Sequence, residues 1–331
     1  MGRVELPADL REALDRTTAG VPAGRLADAV DLLVGRYRSG EPAEDGPILA
    51  AAVDVTAYAA YRMPATYAAV RAALAQVAGR RPDLTARTLL DLGGGTGAAV
   101  WAVADAYPDL ASVTVVDQVP AALALGERLA RTAARPALRT AQWRPAALAG
   151  LAPARADLVT VSYVLGELPP AVRAEVVRTA AGSTTTLVLI VEPGTPAGYD
   201  RIITARTQLI GAGLSIVAPC PHQDRCPIVP GQDWCHFAAR VARSSLHRQV
   251  KRAELGYEDE KFAFVAATPG PAPAPTPGRV LRRPRYGKGM VTLTVCTPTD
   301  GLVTEVVSKR QGPRYRAART LTWGSPWPEP P

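Results

Sequence analysis

The spacing of apolar positions changes character twice along this chain. From residue 8 to about 38, Leu10, Leu14, Leu26, Val30, Leu33 and Val34 recur at helical intervals, and Gly20 and Pro22 divide the stretch into two helices. A second helical stretch is expected over 48–79, interrupted at Pro64, with Tyr58, Tyr61 and Tyr67 clustered about the break. From residue 88 short β-rich runs alternate with Ala-rich helical ones. The strands read as TLLDL (88–92), SVTVVD (112–117), ALRTAQ (137–142), DLVTVSY (157–163) and TTLVLIVE (185–192), with helices near 97–107, 120–133 and 169–181. This alternation predicts βαβ units and a parallel sheet. Beyond 192 the rhythm breaks. Helices are expected over 198–213 and 236–254, then strands KFAFVAAT (261–268), VTLTVC (291–296) and TEVVSK (304–309). The Pro-rich run PGPAPAPTPG (269–278) reads as a semi-rigid linker.

These patterns divide the chain into an N-terminal helical region (1–85), an α/β domain (86–268) with a Cys/His-rich insertion (193–247), the linker, and a C-terminal extension containing strands (279–331). With 331 residues and 47% hydrophobic content, the chain can bury a substantial core. Its bias toward Ala, Arg, Gly and Pro is that of a GC-rich bacterial genome. No apolar run approaches the roughly 20 residues of a membrane span, and the acidic start lacks the apolar core of a secretory signal. A bacterial cytoplasmic protein without a membrane partner is therefore expected.

Charge changes the picture only locally. The formal net charge is +8, and residues 279–319, with ten Lys or Arg against Asp300 and Glu305, carry all of it. A localised basic surface attracts phosphate backbones.

The clearest chemical signal is LLDLGGGTGAAVWA. It sets Asp91, Gly93, Gly95 and Gly97 between a strand and a helix, where glycines allow a sharp turn and close approach of backbone to ligand. Asp117 ends the next strand, 20 residues after Gly97, and a carboxylate there can accept from both hydroxyls of a ribose. The dinucleotide fingerprint requires a further Gly three residues on, and Ala98 to Val100 supply none. The pattern instead resembles the first motif of class I S-adenosylmethionine-dependent methyltransferases, which implies their Rossmann-like α/β fold. Gln142 and Trp143, read as ending the third strand, are expected near the adenine. Ser162, Tyr163, Gly166 and Glu167 follow the fourth strand beside the methyl-transfer position. The Asn- or Asp-Pro-Pro-aromatic tetrad of amine methyltransferases is absent there, which leaves Tyr163 and Glu167 as the catalytic candidates.

A second signal is APCPHQDRCPIVPGQDWCHF. Three of four Cys and all three His fall within 220–247. A Pro-rich loop cannot order itself through regular hydrogen bonds, and a bound metal would supply that order. Disulfides are disfavoured in the cytoplasm. Zinc prefers tight pairs, whereas four irregularly spaced thiolates, Cys220, Cys226, Cys235 and Cys296, suit an iron–sulfur cluster. A Cys/His zinc site using His222 or His236 is the alternative. Because radical enzymes use a compact three-Cys motif, a closed four-Cys centre is expected.

The run from Glu192 to Thr268, with its EPGTP, CPH…CP…DWCHF and YEDEKF blocks, together with YRMPATYAAV (61–70) and Cys296, resembles the methyltransferase-like small-ribosomal-subunit proteins of mitochondria and their bacterial relatives. The resemblance covers roughly residues 50–320. It implies a S-adenosylmethionine-type fold, a 4Fe–4S cluster on Cys220, Cys226, Cys235 and Cys296, and a role in small-subunit assembly with rRNA, not DNA, as partner. Arg240, Arg243, His247 and Lys251, with Arg248 and Arg252, recur at helical spacing and with Arg282, Arg283, Arg285 and Lys288 form the expected RNA footprint. Three functions stay open at this point: an rRNA methyltransferase, a non-catalytic assembly factor, and a small-molecule methyltransferase.

Overall fold

The computed structural model describes residues 3–22, 24–31, 52–229, 231–251, 254–274 and 278–328. The expected helical positions Leu33 and Val34, Arg252 of the basic set and part of the Pro-rich linker lie outside them.

Runs of Val, Leu and Ile buried on both faces make the parallel strands other than the one at the sheet edge, as expected where helices cover both sides of a sheet. Strands β1 (Thr88–Leu92), β2 (Ser112–Asp117), β3 (Gln142–Pro145), β4 (Ala156–Ser162) and β5 (Thr184–Pro193) pair in parallel in the order β3-β2-β1-β4-β5. Strand β8 (Tyr257–Thr268) then joins antiparallel beside β5, with β6 (Ser215–Ala218) beyond it and β7 (Phe237–Ala242) paired to its first half. This mixed sheet, with its strand order reversing at β1/β4, is a Rossmann-like fold.

The covering helices are α1 (Ala8–Thr18), helical residues 24–31 (α2), α3 (Ala52–Ala78), α4 (Ala98–Ala106), α5 (Pro120–Ala130), the short α6 (Pro136–Arg139), α7 (Pro170–Ser183) and α8 (Pro196–Gly211). One core joins α1, α3, α4 and α5 to the sheet, and a second lies under α7 and α8. Leu26 and Val30 of α2 pack on Ala57 and Ala60 of α3. The expected break at Pro64 does not occur, because α3 runs through it as one helix. Among the described residues no helix is long and apolar enough to cross a membrane.

The expected helix over 236–254 is replaced by β7 and a short α9 (Ser245–Val250). The Ala/Arg run that reads as helical is captured by the acidic start of β8, where Arg240 stands opposite Asp259 and forms an ion pair at 2.7 Å. Opposite charges across a ladder stabilise it. Val4 adds a further bridge to Val241 on the outer edge of β7.

The C-terminal residues form a second, antiparallel sheet of β9 (Arg279–Val280), β10 (Arg285–Gly287), β11 (Met290–Thr297) and β12 (Gly301–Ser308), followed by a 3-10 turn (Lys309–Gln311) and α10 (Pro313–Thr320). Val291, Leu293 and Val295 alternate inward and bury against Val307, Ala318 and Trp327. The same alternation turns Cys296 to the opposite face, where it is buried against the larger domain.

Candidate functional site

Two cavities carry the sequence signals. The first opens at the carboxyl ends of β1, β2 and β4, where ligands sit in such sheets. Its wall includes Asp91, Gly93, Gly95, Asp117, Tyr163 and Glu167. The turn after β1 holds Gly93, Gly95 and Gly97 at φ of 70°, 52° and 84°, a left-handed backbone that favours glycine. Gly97 caps α4, and the Trp143 ring covers it so closely that a Cβ there would stand 2.6 Å from Cη2.

Both carboxylates of the motif are fixed. The Thr160 hydroxyl donates to Asp91 Oδ1 at 2.7 Å, while Asp91 Oδ2 is buried without a partner among the described residues. Burial raises the Asp91 carboxyl to about 7; the Thr160 bond opposes this and the nearby Asp117 charge adds to it. Asp117 accepts from the backbone N–H of Gly95 and of Val119, each at 2.8 Å. Burial raises its pKa as well, against those backbone bonds. Ser162 Oγ is a second orphaned polar atom in this wall.

Gln142 is a correction. It opens β3 instead of ending it, in register with Thr114 and three positions short of the Asp117 level. At about 3.3 Å per residue that is roughly 10 Å from the carboxyl edge. Gln142 is exposed and its amide oxygen accepts from Arg144. The segment before it, read as strand, folds as α6.

At the methyl-transfer end, Tyr163 takes φ of 60°, a left-handed conformation rare for a side chain of its size. Its hydroxyl donates to Glu260 Oε1 at 2.9 Å, Arg62 of α3 meets the same oxygen at 3.2 Å, and the guanidinium lies 4.8 Å over the Tyr163 ring. Burial and the Glu260 charge push the phenol well up, so it stays a neutral donor. Glu167 sits on a 3-10 turn (Leu165–Glu167) whose first N–H donates to the fully buried Glu192 at 3.0 Å. Arg201 of α8 holds the other oxygen of Glu192 at 2.6 Å. Glu192 and Glu260, which the sequence marks only as members of the EPGTP and YEDEKF blocks, are the supports of this pocket.

The second cavity lies beside α8. All four Cys, free of disulfides, share its wall with Tyr199, Arg206 and His222. Cys220, Cys226 and Cys235 come from the loop after β6, and Cys296 comes from β11. The Tyr199 hydroxyl is 3.2 Å from Cys226 Sγ, and His222 Nε2 is 3.8 Å from Cys296 Sγ. Burial raises the Cys220, Cys235 and Cys296 thiols, Cys296 to about 12, and the neighbouring sulfurs add to each shift. Among the described residues no three His, Cys, Asp or Glu side chains are drawn together tightly enough to hold a metal ion. His236 stacks on Trp234 and meets Trp323 edge-on, outside the cavity wall.

The cations divide into two sets. Besides the Arg240 pair, Arg243 and Lys251 both bind Glu258, and His247 lies 3.5 Å from it. Arg282 pairs with Asp233, Arg283 with Asp259, and Arg314 with Glu305. The expected basic helical face is thus neutralised from within by Glu258, Asp259 and Asp233. Arg285, Lys288, Lys309, Arg310, Arg316 and Arg319 are exposed, with no ion pair among the described residues.

The family model described as "Mitochondrial small ribosomal subunit Rsm22" matches residues 52–328. The human mitochondrial ribosome assembly protein METTL17 is 30% identical over 291 residues, covering 81% of this chain and 61% of that protein. A fission yeast (Schizosaccharomyces pombe) mitochondrial Rsm22-cox11 tandem protein is 27% identical over 184 residues, covering 43% and 24%. This chain therefore spans less than two thirds of either relative. Among solved structures, a putative RNA methyltransferase from Pyrococcus horikoshii matches with a TM-score of 0.41 at 13% identity, covering 73% of this chain and 96% of that one. The magnesium protoporphyrin IX methyltransferase of Synechocystis with bound S-adenosylmethionine gives 0.40 at 13%, covering 71% and 90%. The expectation of a bacterial cytoplasmic protein is overturned, since the matching family and both relatives are mitochondrial.

Proposed function

We propose that this chain, which belongs to the mitochondrial small ribosomal subunit Rsm22 family, binds S-adenosylmethionine, carries a 4Fe–4S cluster, and acts in assembly of the small ribosomal subunit through its RNA. The observation that carries the reading is the convergence of four free thiols, from a loop and from a separate C-terminal sheet, on one cavity. The donor set suits the cluster. It is all thiolate-forming, and its four sulfurs share one cavity wall. Cys220, Cys226, Cys235 and Cys296 would hold the cluster, which supplies a closed structural or electron-accepting centre. A zinc site is the second reading, favoured by His222 beside Cys296.

The first cavity suits the methyl-donor cofactor. Asp117 keeps lone pairs free for ribose hydroxyls, the Gly93–Gly97 turn offers backbone to the amino-acid tail, and orphaned Asp91 Oδ2 and Ser162 Oγ mark polar positions to be satisfied. When bound, the cofactor supplies an activated methyl group. The Arg62–Glu260–Tyr163 contact supports a binding role, because it commits the Tyr163 hydroxyl to Glu260 and ties that carboxylate to α3. The RNA footprint assigned here is the unpaired set: Arg285, Lys288, Lys309, Arg310, Arg316 and Arg319.

The test is iron and sulfide analysis of anaerobically purified protein, wild type and Cys296→Ser. About four of each per chain, reduced in the variant, supports the cluster. One zinc without sulfide refutes it.

A further inference from the structure

Arg206 and Arg279 are among the most buried charges in the chain, at 4% and 3% exposure. Arg206, on α8, donates from Nη2 to the carbonyls of His222 at 3.1 Å and Asp224 at 2.7 Å. Arg279, on β9, donates from Nη1 to Gln76 Oε1 at 2.7 Å and to the Gly324 carbonyl at 2.8 Å. Neither meets a carboxylate among the described residues, and each leaves Nε without a partner. A guanidinium does not readily give up its proton, and an uncompensated buried charge is strongly destabilising. Some anion must therefore balance these two.

The acidic groups that face them are the cysteines, while Arg80 adds a further cation beside Arg279. Arg206 shares the cavity wall with all four. Arg279 is the direct cross-strand partner of Cys296, which puts the two Cβ atoms about 5 Å apart on one face of the sheet. Arg206 also staples the carbonyls between Cys220 and Cys226, so the loop that carries two of the thiols is built around a cation.

We infer that Arg206 and Arg279 are the counter-ions of the four-thiolate centre, matching its net negative charge and setting its reduction potential. This rests on the cluster reading above. A 4Fe–4S centre on four thiolates is a dianion in its common oxidised state, so two fixed cations bring the cavity to neutrality. One-electron reduction adds a third negative charge, which the cations stabilise in a medium of low dielectric. They act on the electron through the field, as positioning residues outside the ligand set.

The test compares full-length wild type with Arg206→Gln, Arg279→Gln and the charge-keeping Arg206→Lys and Arg279→Lys, all purified anaerobically. Iron and sulfide are counted, and the midpoint potential is followed by electron paramagnetic resonance during titration with dithionite as the electron donor. Each Gln variant is expected to shift to a more negative potential and to lose iron to a chelator several-fold faster, with the Lys variants near wild type. Gln variants that fail to load while Lys variants load also support the role of charge. Loaded Gln variants with wild-type potential and wild-type iron loss overturn the inference, as do Lys variants that fail as fully as Gln. Wild type holding zinc without sulfide sinks the cluster reading itself, and this inference with it.

Discussion

Gly97→Ala probes the turn that shapes the cofactor cavity. Two costs add. The residue sits at φ of 84°, where a side chain costs about 1–2 kcal/mol. Its Cβ would stand 2.6 Å from Trp143 Cη2 and 3.3 Å from Cζ3, an overpacking that typically costs about 1–3 kcal/mol. The sum is roughly 2–5 kcal/mol, a large share of a normal domain's stability. Trp143→Phe shortens the ring, so the double variant relieves the steric part and leaves the backbone part. Urea unfolding followed by circular dichroism, without ligand, gives all four corners of the cycle. The expected coupling between the two sites is about 1–3 kcal/mol in favour of the double variant. A Gly97→Ala chain within about 0.5 kcal/mol of wild type, or a double variant equal to the sum of the singles, would refute the description of this turn.

Three further outcomes are expected. Asp117→Ala, which removes the acceptor placed for the ribose, should weaken S-adenosylmethionine about 10- to 100-fold by calorimetry, each good hydrogen bond to a charged group being worth about 1.5–3 kcal/mol; unchanged affinity would remove Asp117 from the site. His247 is held neutral by burial and by Lys251, its pKa lowered to about 4 from 6.5 although Glu258 opposes the shift. The unfolded chain therefore binds the extra proton first as pH falls, and the stability gap between wild type and His247→Gln should narrow by about 3 kcal/mol from pH 7 to pH 4; a pH-independent gap contradicts this. Neutralising Lys288, Lys309 and Arg310 together should flatten the salt dependence of RNA binding by about two to three in the log–log slope, while Arg240→Gln with Arg283→Gln should leave it unchanged; the reverse pattern would return the footprint to the β7 face.

The doubly buried strands were legible because parallel strands covered on both faces read as unbroken apolar runs, and β1, β2, β4 and β5 all do. The edge strand β3 carries no fully buried residue, so its four positions leave no such run and its start is not legible. FAARVA reads as helix by propensity, and only its cross-strand partners, acids some twenty residues later, make it a strand. The same limit explains the cations. Counting charge finds Arg240, Arg243, Arg282 and Arg283 but cannot see Asp259, Glu258 and Asp233 folded against them. Arg279 counts as basic surface for that reason, although it is buried. Arg206 resembles any solvated helix residue until α8 is seen to turn it inward.

The thiol cavity is closed by a strand made late. Cys220, Cys226 and Cys235 emerge from synthesis well before β11, and Cys296 reaches the cavity only after the C-terminal sheet has formed and docked. Until then the three-sulfur half-site lacks its fourth wall and stands open to oxidants, which attack accessible thiols first. A chain cut short before β11 would lack the sulfur that Cys296 supplies. Completion of the sulfur cavity thus waits on the docking of one sheet against the other, so that the order of synthesis becomes an order of assembly.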